Sequence, residues 1–190
     1  MIAKARQIAD SIRFNLIVHR LADRRYLRDV MLPAMATTEP SNVMLAGVRR
    51  YSTRYPSYFD TKATAVWTLD FEPKAARFGN GPFHRTCDIR EIDKAFRGIR
   101  FDIVHINGLL GFGVNSRDDI HQMIEAVYRS LVPGGHMMLG WDADATLDPL
   151  DHPAVAEHFR HTGLVELPAR HRVTGLEGHD HVFDWFRRVD

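Results

Sequence analysis

The sequence predicts an α/β fold: a seven-stranded sheet, mostly parallel with its last strand antiparallel, preceded by N-terminal helices. Three observations carry this. The stretch from Phe101 to Trp141 reads as strand, loop, helix, turn and strand without interruption. Short apolar segments alternate with helical or turn-rich ones from Asn42 onward. Finally, the last two strand-like segments are joined by a short glycine-containing turn, which forces them antiparallel.

In the central unit, Phe101–Ile106 is apolar and β-branched, as a parallel strand covered on both faces must be. Ser116 followed by Asp119 is a capping box. Ile120, Met123, Ile124, Val127 and Leu131 then recur at helical spacing and define one buried stripe. Pro133-Gly134-Gly135 is expected to end the helix and turn the chain into a second buried strand, His136–Trp141. Ligand sites in such sheets lie outside the carboxyl ends of the strands. Attention therefore falls on Asn107 to Asn115 and on Trp141 to Asp144.

Residues 2–32 are expected to be helical, with a break near Leu21-Ala22-Asp23 and a stop at Pro33. Their arginine-rich face suits a solvated cap over the sheet; the alternative is a lid or a homodimer surface. Strands follow at 42–47, 65–70 and 83–87, with short helices at 74–78 and 91–97. An arginine- and tyrosine-rich loop runs from Arg49 to Phe59. Beyond Trp141, a helix through about His161, a strand from Leu164 to Val173, a turn at Gly175 to Gly178 and a strand from His181 to Val189 complete the pattern. We divide the chain into a helical cap and connector, 1–41, and one α/β unit, 42–190.

Composition excludes several function classes. A formal net charge of +1 supplies no global field for nucleic acid or an acidic membrane. One cysteine, Cys87, rules out an internal disulfide framework, and no apolar run reaches the ~20 residues of a membrane span. The expected location is the cytoplasm and the expected partner a small molecule. His152, His158, His161, His171, His179 and His181 show no recognised ligand pattern with a matching carboxylate, so no metal is expected, although His158 and His161 could share a helical face.

The strand ends carry the functional signal. Gly47 closes the first strand, Asp70 the second, 23 residues on (70 − 47), and Asp88 follows the third, 18 residues later (88 − 70). A glycine lets backbone approach a ligand, and an acid on the neighbouring strand can accept both hydroxyls of a ribose. In this order they favour an adenosine-type ligand.

From Asn42 to Trp141 the chain resembles the class I S-adenosylmethionine-dependent methyltransferases. Val43-Met44-Leu45-Ala46-Gly47 stands where that family has its first glycine-rich motif. Leu69-Asp70-Phe71-Glu72-Pro73 is similar to its ribose-binding segment, Cys87-Asp88-Ile89 to its adenine-binding segment, and Leu131-Val132-Pro133-Gly134-Gly135 to its turn before the fifth strand. The resemblance implies a Rossmann-like doubly wound sheet, S-adenosylmethionine as cofactor, and Gly47, Val48, Arg49, Asp70, Phe71, Asp88, Ile89 and Asn107 as its binding residues. The acceptor would be a small molecule, sugar-like or anionic, methylated on oxygen, with Asn107 and Asp142 as catalytic candidates. Asn107-Gly108-Leu109-Leu110 replaces the Asn/Asp-Pro-Pro-aromatic motif of nucleic-acid amino-methylating enzymes.

One departure divides the readings. Only Gly47 remains of the family's three glycines; Arg49 and Tyr51 occupy the other two positions. Either a guanidinium meets the cofactor carboxylate, or these side chains fill the pocket and the protein is a non-catalytic ligand- or partner-binding relative. A nicotinamide-dependent oxidoreductase would also use Gly47 and Asp70, but its pyrophosphate needs the missing glycines. His105, inside its strand, is expected to be a hydrogen-bonded core residue.

Overall fold

A computed structural model describes residues 18–144, 147–174 and 180–190. Among them one sheet contains β1 (Asn42–Ala46), β2 (Ala65–Asp70), β3 (His84–Thr86), β4 (Phe101–Asn107), β5 (Leu131–Asp142), β6 (Phe159–His161), β7 (Arg170–Thr174) and β8 (Asp180–Arg188). Their order is β3-β2-β1-β4-β5-β8-β6, and β7 also pairs with β8. The pairings among β1 to β5 are parallel, whereas β8 runs antiparallel to β5, β6 and β7. This is the expected sheet with its last strand reversed. It has eight described strands where seven were expected.

The additional strand is β6. Its residues were assigned to a helix running through His161, but that helix, Pro153–His158, stops when Phe159 turns extended. Phe159 buries its ring edge-on to Phe186, and its neighbours take up the ladder along β8. For so short a helix, an aromatic contact and sheet hydrogen bonds outweigh another turn. The expected strand from Leu164 to Val173 shortens to β7. Val165 adopts a positive φ of 54° and Pro168 has no N–H for a ladder, so the chain loops and turns Leu164 and Leu167 into the core.

Two proline expectations also change. Pro133-Gly134-Gly135 is not a free turn, because β5 already begins at Leu131. The register jumps between the Phe101–Leu131 and Ile103–His136 pairs, and Gly134, at φ 70°, absorbs the irregularity. At the other end of the chain, Leu21 is extended, as the expected break requires. The helix then runs past Pro33: α1 (Ala22–Tyr26) continues through a π-helical turn (Leu27–Met31) into α2 (Leu32–Thr37). Pro33 directly follows the π-helical turn, where the Leu32 N–H reaches back to the Leu27 carbonyl and the helical bonding is already shifted. The expected helix over residues 2–17 and the turn at 175–178 lie outside the described residues.

Alternation along the strands divides the core into two layers. On one face Val43, Leu45, Ile103, Met138, Phe183 and Trp185 meet Leu27, Met31, Leu32 and Met35 from the N-terminal helices. On the other, Met44, Val104, Ile106, Met137 and Leu139 meet α3 (Ile92–Ala95), α4 (Arg117–Ser130) and α5 (Pro153–His158). The stripe on α4 is buried as its spacing required. Each such side chain stabilises by about 1.5–3 kcal/mol. Ser116 caps α4: its hydroxyl accepts from the Asp119 N–H, and the Asp119 carboxylate accepts from the Ser116 N–H, both at 3.0 Å. The crossovers from β1 to β2 and from β2 to β3 contain only 3-10 turns, which leaves the carboxyl ends of these strands uncovered.

Candidate functional site

A cleft of about 560 Å³, counted out to its open mouth, lies along these carboxyl ends. Gly47, Arg49, Asp70, Phe71, Asp88 and Ile89 line it, together with Arg90 and the loop from Gly108 to Val114. Six of the residues singled out from sequence thus share one wall. Val48 and Asn107 do not. They border a much tighter crevice, with room for about one water molecule, which meets the cleft at Gly47 and is also lined by Tyr51, Tyr55 and His105.

Gly47 is the hinge between the two spaces. Its φ is 84°, and a Cβ there would fall 2.7 Å from both the Asn107 carbonyl oxygen and Leu109 Cδ1. Only glycine lets β1 turn this close to the end of β4.

The acids that follow are both matched by arginines. Asp70 is almost wholly buried; one oxygen accepts from the Glu72 N–H at 2.9 Å and the other from Arg49 Nη1 at 2.6 Å. Sequence reasoning left Arg49 either meeting a cofactor carboxylate or filling the pocket; here its guanidinium donates to the buried acid of β2, a charge-assisted hydrogen bond. Asp88 accepts from Arg90 Nε and Nη2 at 2.9 and 2.6 Å, and Arg90 also reaches Asp119 of the α4 capping box. The Arg90 guanidinium holds the Asp88 carboxyl below the usual carboxylate range. A carboxylate has about four lone-pair sites, so Asp70, with two donors, retains acceptor capacity toward the cleft. Phe71 and Phe112, 55% and 58% exposed, supply apolar walls. Nothing in the sequence pattern pointed to Phe112 or Arg90.

At the ends of β4, β5 and β8 a second polar group assembles. Asp142 lies opposite His181 in the β5–β8 register, and its carboxylate is 2.6 Å from His181 Nδ1. The other ring nitrogen, Nε2, is 3.1 Å from Asn107 Oδ1. The two catalytic candidates are therefore connected, through a histidine that the sequence offered only as a metal ligand. Gly140 makes room for this, because a Cβ there would collide with the Asn107 amide. His105 sits nearby in β4 and departs from expectation: it is buried, yet neither ring nitrogen has a hydrogen-bond partner. Burial keeps it neutral, pushing its pKa down to about 3.

Comparison with known proteins identifies the architecture. No family model matches the sequence, and no curated protein matches it. Solved structures do. The N-methyltransferase NodS from Bradyrhizobium japonicum WM9, in complex with S-adenosyl-L-homocysteine, superposes with a TM-score of 0.64 at 16% identity, covering 88% of this chain and 88% of that one. A TehB-like SAM-dependent methyltransferase from Corynebacterium glutamicum ATCC 13032 gives 0.62 at 15% identity, over 97% and 99% of the two chains. The Burkholderia thailandensis 1,6-didemethyltoxoflavin-N1-methyltransferase gives 0.57 at 19% identity, over 97% and 90%. The chain has the class I methyltransferase fold.

Within the methyltransferase fold, β8 is the reversed strand beside β5, while β6 and β7 share its outer edge. Two of the histidines named from the sequence are paired with carboxylates. His158 meets Glu125, and His161 meets Asp184 at 2.9 Å. His161 belongs to β6, so it shares no helical face with His158. Among the described residues no group of three or more His, Cys, Asp or Glu side chains is arranged to hold a metal ion, and no helix is long and apolar enough to cross a membrane.

Proposed function

We propose that the protein is an S-adenosylmethionine-dependent methyltransferase acting on a small molecule. The observation that carries this is the single cleft in which Gly47, Asp70 and Asp88 meet at the carboxyl ends of β1, β2 and β3 in a sheet of methyltransferase order. The donor set suits an adenosine. Asp70 has capacity left for ribose hydroxyls, Asp88 lies at the rim, and Phe71, Ile89 and Phe112 offer flat apolar contact for a base. The structural relatives include enzymes solved with S-adenosylhomocysteine.

When bound, the cofactor supplies a methyl group on a sulfonium already activated for displacement. The chain then has to align the acceptor and exclude water. Asn107 and Asp142 hold the acceptor side at the ends of β4 and β5, and His181 ties them together. His181 has one ring nitrogen 2.6 Å from the Asp142 carboxylate and the other 3.1 Å from Asn107 Oδ1, and so orients both groups toward the acceptor. Arg49 is 41% exposed and long enough to swing from Asp70 as ribose enters.

The Arg49–Asp70 pair also favours one rival, a non-catalytic relative in which Arg49 occupies the ribose site. Calorimetric titration with S-adenosylmethionine, S-adenosylhomocysteine and NAD, on the parent and on Arg49→Gly, separates the two. A methyltransferase binds S-adenosylhomocysteine in the parent form. If only the glycine variant binds, the non-catalytic reading replaces ours.

A further inference from the structure

Both acids of the cleft carry an arginine, but the two arginines are held differently. Arg90 donates to Asp88 from its backbone N–H, Nε and Nη2, and its Nη1 is fixed a second time on Asp119. Arg49 reaches Asp70 through Nη1 alone, at 2.6 Å, and the same nitrogen donates to the Val48 carbonyl at 2.8 Å. Among the described residues its other side-chain nitrogens have no partner. The Arg90 clamp is tied at both ends. The Arg49 contact is a single bond from a side chain that is 41% exposed onto one that is 2% exposed.

This asymmetry sets a condition on any ligand. Asp70 has two acceptor sites to spare, yet with Arg49 against it almost none of its surface is open. A ribose therefore reaches Asp70 only by taking the place of the guanidinium. A displaced guanidinium is best received by another oxyanion. The cleft lining offers one further acid, Asp88, and Arg90 already occupies it. The receiving anion must come with the ligand. Strand order says where it would lie. In the sequence β3-β2-β1, a nucleoside with its base beside Asp88 and Ile89 and its sugar on Asp70 extends its 5′ substituent toward the turn after β1. Arg49 stands in that turn, two residues past Gly47.

We propose that Arg49 is the specificity-determining residue of the cleft: it covers Asp70 until a ribose takes its place, then passes to a carboxylate on the tail of the same nucleoside. A nucleoside without an anionic tail must break the same ion pair and offers the guanidinium nothing in return. The proposal rests on the methyltransferase reading, from which it takes the nucleoside.

The probes are S-adenosylhomocysteine and its decarboxylated analogue, the 3-aminopropyl thioether of adenosine, which keeps the base, ribose, sulfur and amine. Calorimetry on the full chain is expected to show that the parent prefers S-adenosylhomocysteine by about tenfold or more, the worth of one charged hydrogen bond. Arg49→Gln, its fold checked by circular dichroism, is expected to lose that preference: S-adenosylhomocysteine weakens, while the analogue binds as well as before or better because Asp70 is uncovered. Ligand and residue changed together form a double-mutant cycle, so carboxylate contacts elsewhere in the cleft cancel. Arg49→Lys, which keeps the charge, should restore part of the preference. A parent without preference, or a folded Arg49→Gln with the parent's preference, overturns the proposal. Should Arg49→Gln not fold, the Arg49 Nε–H resonance of the parent decides: the two ligands at saturation leave it at different positions if the guanidinium meets the carboxylate, and at one position if the proposal fails. S-adenosylhomocysteine binding without the preference defeats the proposal and spares the methyltransferase. Binding by neither parent nor variant, or by Arg49→Gln alone, defeats both.

Discussion

Two buried polar clusters lie on opposite faces of the sheet, and they are built by opposite rules. Asp184 of β8 is fully buried and every neighbour answers it: Trp141 Nε1 at 2.8 Å, Arg170 Nε at 2.7 Å, Arg170 Nη2 at 3.0 Å and His161 Nε2 at 2.9 Å. Arg170 is in turn shared with Asp148 through two bonds of 2.7 Å. On the other face, His105 keeps both ring nitrogens buried without a hydrogen bond, and Arg24 has Nε and Nη1 buried without one, its guanidinium beside the Asp23 carboxylate at 3.2 Å and over the Tyr51 ring. A closed network fixes the packing of β5, β7 and β8; an open one gives up stability and retains capacity for something else.

The comparison is tested hardest at Arg170. Arg170→Ala strands a fully buried carboxylate and is expected to cost about 3–5 kcal/mol in denaturant unfolding. A loss below about 1 kcal/mol, the range of exposed pairs, would erase the distinction.

Next comes Asp70, whose side chain is buried yet borders the cleft. Asp70→Ala is expected to weaken S-adenosylhomocysteine binding at least tenfold, since a charged hydrogen bond contributes about 1.5–3 kcal/mol. Calorimetry with unchanged affinity would remove Asp70 from the site.

His105 should respond in the opposite sense from Arg170. His105→Leu removes unanswered polar atoms at similar volume and is expected to stabilise the protein by about 1–3 kcal/mol. It should also flatten the acid dependence of stability. Folded His105 stays neutral down to about 3, while the unfolded imidazole takes its proton near 6.5. The unfolded state therefore binds more protons between these values, so parent stability falls as pH drops through that window and is unaffected above it. Urea unfolding at pH 7 and pH 5 measures both effects. A destabilised leucine variant with the parent's pH slope would show that His105 is matched after all.

The smallest effect calibrates the rest. Arg129 bonds Asp93 at 2.8 Å and Glu125 at 3.0 Å, but it is half exposed. Arg129→Ala should cost about 0–1 kcal/mol, and less in high salt.

Local chemistry explains how much of this was legible. The unit from Phe101 to Trp141, the Ser116 capping box and the positions of Gly47, Asp70 and Asp88 all depend on spacing within one element or at its end, and so could be read directly. What could not be read depends on partners distant in sequence. Arg49 finds Asp70 across 21 residues, Arg90 finds Asp119 across 29, and Asn107 finds His181 across 74. The last pair had a usable signal, since antiparallel pairing sets His181 opposite Asp142 once β8 is laid beside β5. The vacancies around His105 had none. Strand pattern told that it would be buried, and only the packed structure tells what fails to meet it. The short strand β6 escaped for a similar reason: Phe159 is extended because Phe186 waits for it.

The position of β8 bears on how the protein is made. Seven described strands of the sheet precede it in synthesis, yet it sits between β5 on one side and β6 and β7 on the other. Until Asp180–Arg188 leaves the ribosome, β5 exposes a bare hydrogen-bonding edge, while β6 and β7 have no strand to pair with. The nascent chain thus passes through a stage whose open edge can recruit another molecule's strand, and a pause in translation just before β8 would lengthen that exposure.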